Sequence, residues 1–90
     1  MTPERIRSLR RRIGRLRVRK ANVRSREIVS LAQAAGRVSV KRGKHSTFEK
    51  AGRPPLTIPH HPGSLSPMTI DSILDMLEAD LDQEEGLMDG

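Results

Sequence analysis

The sequence predicts an α+β domain in the order helix, three strands, helix, with a further basic helical segment in front. Two observations carry this. Apolar residues recur at helical spacing in two capped stretches, at 25–36 and from Ser66 onward, and between them the period drops to two in short runs separated by Gly and Pro. A chain of 90 residues has room for one small domain, so both core helices must cover one face of the sheet to bury anything.

Thr2 offers a cap and Pro3 a first-turn residue for the leading segment, in which Ile6, Leu9, Ile13 and Leu16 recur every three or four residues among arginines. Gly14 and the mutual repulsion of Arg10, Arg11, Arg12 and Arg15 weaken this helix unless something covers its stripe. Ser25 then reads as an N-cap, Ile28, Leu31, Ala32 and Ala35 as a helical face, and Gly36 as a left-handed C-cap. Val38 and Val40 alternate against Arg37, Ser39 and Lys41, which predicts a strand turning at Gly43 into a second run at 45–49. Pro55 and Pro59 confine a third strand to Leu56, Thr57 and Ile58. Ser66-Pro67 starts the last helix, with Ile70, Ile73, Leu74, Leu77 and Leu81 on one face, and fraying is expected from about Gln83.

The net charge of +6 is unevenly distributed. Residues 1–26 carry eleven Arg or Lys against Glu4 alone, whereas residues 71–90 carry eight Asp or Glu and no base. This divides the chain into a basic amphipathic arm at 1–23, a core domain at 24–82 and an acidic flexible tail at 83–90. A basic arm suits a polyanion, most commonly nucleic acid, through phosphate pairing and counterion release. There is no cysteine, hence no disulfide or thiolate metal site, and no apolar segment suggests export or membrane insertion. The expected location is cytoplasmic. No phosphate-binding GxxxxGK loop, dinucleotide GxGxxG or HExxH zinc motif is present.

All three histidines lie in the middle segment. His45 follows the Gly43 turn among Lys41, Arg42 and Lys44, cations that suit phosphate and favour a neutral imidazole able to act as a base. His60 and His61 end the third strand; adjacent strand residues point to opposite faces and no spaced carboxylate accompanies them, so no metal site and no cofactor are expected. One of the two could share a groove with His45.

These residues resemble the HicA (YcfA-like) toxin family: Ser25-Arg26-Glu27-Ile28 opening a helix, Gly36 at its end, Gly43-Lys44-His45 in the hairpin, Leu56 to Gly63 with its Pro-His-His-Pro-Gly, and Thr69-Ile70-Asp71-Ser72-Ile73-Leu74 in the last helix. The resemblance covers roughly residues 24–78. It implies a double-stranded-RNA-binding-like α-β-β-β-α fold, metal-independent endoribonuclease activity on mRNA, a HicB-type antitoxin as protein partner, and His45 as the catalytic residue. Lys41, Arg42, Lys44, Arg53, His60 and His61 are the expected RNA-binding set. The chain departs from the family pattern where Lys44 replaces a serine, Ser46 a second histidine and Arg37 an aromatic, and in the acidity of its last helix. The expected function is therefore an mRNA interferase toxin of a type II toxin-antitoxin pair. The alternatives are a catalytically silent RNA-binding or antitoxin-binding module of the same fold, and a protein adaptor that binds no RNA.

Overall fold

The computed structural model describes residues 1–42, 45–60 and 62–89; the side chains of Lys41, Arg42, His45 and Asp89 lie outside what it describes. Helix α1 (Pro3–Val18) starts as the sequence requires, with Pro3 in its first turn and the Thr2 hydroxyl accepting from the Arg5 N–H at 3.2 Å. A short 3-10 turn (Lys20–Asn22) leads to α2 (Ser25–Ala34). Here the cap differs from expectation. Arg24 is the N-cap, and the Glu27 carboxylate closes the turn by accepting the Arg24 N–H at 2.9 Å, which releases the Ser25 hydroxyl for another partner. Gly36 ends the helix with φ +100, and a Cβ there would meet Lys50 Nζ at 2.7 Å.

Strands β1 (Val38–Arg42), β2 (His45–Glu49) and β3 (Leu56–Ile58) form an antiparallel meander in the order β1-β2-β3. Phe48 pairs with Leu56, and with Ile58 they form the buried face against which the helices pack. The valines of β1 face away from this core. Register places Val38 opposite Glu49 and Val40 opposite Thr47, on the side away from Phe48, and Val38 is 66% exposed. Arg37, which stands where the family resemblance calls for an aromatic, is buried. Its guanidinium donates to both Asp80 oxygens, from Nε at 2.7 Å and from Nη2 at 2.9 Å, and Nη1 donates to the carbonyls of Phe48 and Pro54. A buried charge needs this complete set of partners.

Helix α3 (Pro67–Asp89) follows Ser66, whose hydroxyl accepts the Thr69 N–H at 3.2 Å, and continues to Asp89, through the described part of the stretch expected to be a flexible tail. The reason lies in contacts made by that stretch: Gln83 donates to the Ala51 carbonyl, Glu84 accepts from Lys50 and Glu85 accepts from Arg10. The basic segment is likewise no detached arm. Ile6, Leu9, Ile13 and Leu16 are buried in the same core as Leu74, Leu77 and Leu81, and α1 runs antiparallel to α3. Arg10 bonds Asp82 and Glu85, Arg17 bonds Asp71 and Asp75, and Lys20 bonds Asp71. Acids on α3 thus neutralise one flank of α1. Among the described residues no helix is long and apolar enough to cross a membrane.

The hydrogen bond from Lys20 holds the Asp71 carboxyl below its ordinary range, and that from Lys50 does the same to Glu84. A depressed carboxylate stabilises the fold above its unfolded pKa, and that contribution is lost as pH falls through the folded value. The thermal midpoint is accordingly expected to fall progressively below about pH 4. Glu84→Gln should flatten part of this fall; melting curves of the two proteins from pH 6 downward check it.

Candidate nucleic-acid interface

The loop leaving β3 is tied down on both sides. Ser25, the first residue of α2, donates its hydroxyl to the Pro59 carbonyl at 2.7 Å, while Arg24 bridges Ser64 and the Leu65 N–H donates to the Val23 carbonyl at 2.9 Å. His60 is therefore held beside the start of α2. Its Nε2 lies 2.6 Å from the Ser46 hydroxyl on β2, one residue beyond His45. Ser46, where the family resemblance calls for a second histidine, thus joins the strand that carries His45 to the histidine loop.

An open groove of about 620 Å³ lies between this loop and α2, lined by Arg24, Arg26, Ser30, Gln33, His60 and Pro62. Arg24 and Arg26 are exposed and make no ion pair among the described residues. Glu27, nearby on α2, is held below the usual carboxylate range, first by the Arg19 side chain and then by the Arg24 N–H. It stays ionised but already has its own cation, so the groove is net positive. Two guanidiniums, a hydroxyl and an imidazole at one mouth can bind a phosphate and exchange a proton beside it.

The expected site residues separate. His60 lines the groove. Arg53 does not: its Nε donates to Asp80 at 2.8 Å and its Nη2 approaches the Met76 sulfur, which commits it to the Arg37–Asp80 centre rather than to an RNA surface. The backbones of Arg42 and His45 pair across the end of the β1–β2 hairpin, whereas their side chains, that of Lys41, and all of Lys44 and His61 lie outside the described residues. Among the described residues no group of three His, Asp or Glu is placed to share a metal ion.

Arg24 and Arg26 were counted in the sequence only among the bases of residues 1–26, because nothing local to them shows that the histidine loop packs beside the start of α2. The exposed arginines of α1 were assigned to a basic arm opposed in charge to the acidic end of the chain, and of these Arg10 meets Asp82 and Glu85. No protein-family model, curated protein or solved structure matches the chain.

Proposed function

We propose that this protein is a cytoplasmic RNA-binding endoribonuclease of the kind its sequence resembles, a HicA-like mRNA interferase held in check by a HicB-type antitoxin. The observation that carries the reading is the positive groove that joins His60, through Ser46, to the strand opened by His45. The helix, three-stranded meander and helix support the double-stranded-RNA-binding-like fold that the resemblance implies.

In this reading the His45 imidazole takes the proton of a ribose 2′-hydroxyl, and the 2′-oxygen attacks the adjacent phosphorus. The bond from phosphorus to the 5′-oxygen breaks, leaving a 2′,3′-cyclic phosphate. His60, as imidazolium, gives its proton to the departing oxygen. Arg24 and Arg26, with Lys41, Arg42 and Lys44 of the hairpin, offset the charge that develops on phosphate.

His45→Ala is expected to reduce RNA cleavage by on the order of 100-fold or more while leaving the fold and RNA affinity nearly intact. Cleavage by the unaltered protein should persist in EDTA, because the expected chemistry uses imidazoles alone. Assaying both proteins on one RNA with chelator present decides the matter. Full activity in a folded His45→Ala protein would refute the mechanism, and binding without cleavage in either protein would leave an RNA-binding module.

A further inference from the structure

Resting on that RNA reading, we propose a second phosphate-binding surface: a trough between α1 and α2 that receives the sugar-phosphate backbone of the same RNA strand beyond the histidine groove. It measures about 500 Å³ and is lined by Arg12, Arg15, Arg19, Arg26, Glu27 and Ser30. Arg26 and Ser30 also line the histidine groove, so the two openings adjoin.

The arginines of α1 are sorted by what faces them. Arg10 and Arg17 meet the acids of α3. Arg12, Arg15 and Arg19 lie on the other flank, spaced by three and four residues, and therefore form a row of about 10 Å along one side of the helix. Arg12 is turned toward α2, with Nη2 3.5 Å from the Ser30 hydroxyl. The single carboxylate in the trough, Glu27, is paired with Arg19. Arg15 and Arg26 are exposed and have no carboxylate partner among the described residues.

Like charges one turn apart repel, so the row is electrostatically unfavourable until an anion lies along it. A guanidinium offers two parallel N–H donors to phosphate oxygens. The trough is open and lengthens the positive surface in one direction, a shape suited to successive phosphates of a polymer. It contains no base-stacking aromatic, so it would track the backbone without reading sequence.

The test uses RNA that cannot be cleaved, with 2′-O-methyl riboses, at lengths of about six and about 16 nucleotides. The unaltered protein and its Arg12→Gln/Arg15→Gln variant are compared by fluorescence anisotropy over a salt series. Among the described residues Arg15 makes no ion pair and Arg12 makes only the 3.5 Å hydrogen bond to Ser30, so the fold should be unchanged, and circular dichroism verifies this. The variant is expected to bind the longer RNA about tenfold more weakly, with the slope of log affinity against log salt reduced by about 1.4. The shorter RNA should lose less than about twofold. No change on the longer RNA, or equal losses at both lengths, would overturn the trough while leaving the RNA reading intact. Absence of RNA binding by the unaltered protein would overturn both.

Discussion

A chain lacking residues 1–18 is expected to lose its cooperative thermal transition. Ile6, Leu9, Ile13 and Leu16 of α1 are between 1 and 6% exposed, and they cover the Leu74, Leu77 and Leu81 face of α3. Burial of one such aliphatic side chain is worth roughly 1.5–3 kcal/mol. Losing four together approaches the entire stability of a small domain, about 5–15 kcal/mol. The truncated chain would also expose a contiguous apolar strip along α3 and should bind hydrophobic dyes or aggregate. Calorimetry with dye binding tests this; a sharp transition near that of the full chain would mean that α1 is dispensable to the core.

The second large effect concerns the Arg37–Asp80 pair. Both side chains are fully inaccessible, and Asp80 also accepts from Arg53. Asp80→Ala leaves the Arg37 guanidinium buried without a counter-charge, which is expected to cost about 3–5 kcal/mol. For a domain of this size that lowers the thermal midpoint by more than about 12 °C. Replacing Arg37 and Asp80 together by leucines should recover much of the loss, because an apolar pair leaves neither charge stranded there. If the double variant proves no better than Asp80→Ala alone, the damage lies in packing or in the loss of the Arg37 bonds to Phe48 and Pro54.

Local signals were readable in the sequence. Thr2, Gly36 and Ser66-Pro67 mark helix ends because caps act over three or four residues, and the prolines around Leu56–Ile58 limit β3 for the same short-range reason. What was hidden depends on distant partners. Arg37 and Asp80 are 43 residues apart, and Arg10 reaches Asp82 across 72. Nothing in a window around Arg10 distinguishes it from Arg12, yet one faces acids and the other faces α2. The period-two pattern at Val38 and Val40 identified a strand but not its inner face. Phe48, Leu56 and Ile58 on the neighbouring strands decide that face, together with the buried arginine that precedes β1. In the candidate groove, His60 stood out in the sequence by its chemistry, whereas Arg24 and Arg26 come beside it only through the way α2 meets that loop.

The ionic seam between α1 and α3 also sets the direction of the protein's electric field. Because α3 cancels one flank of α1, the unbalanced positive charge collects toward the side formed by Arg12, Arg15, Arg24 and Arg26. The molecule therefore carries a dipole moment in addition to its net charge of +6. A polyanion approaching from any angle exerts a torque that turns this side forward before contact. Such orientation raises the fraction of collisions that are productive, and the gain diminishes as dissolved ions shorten the reach of the field.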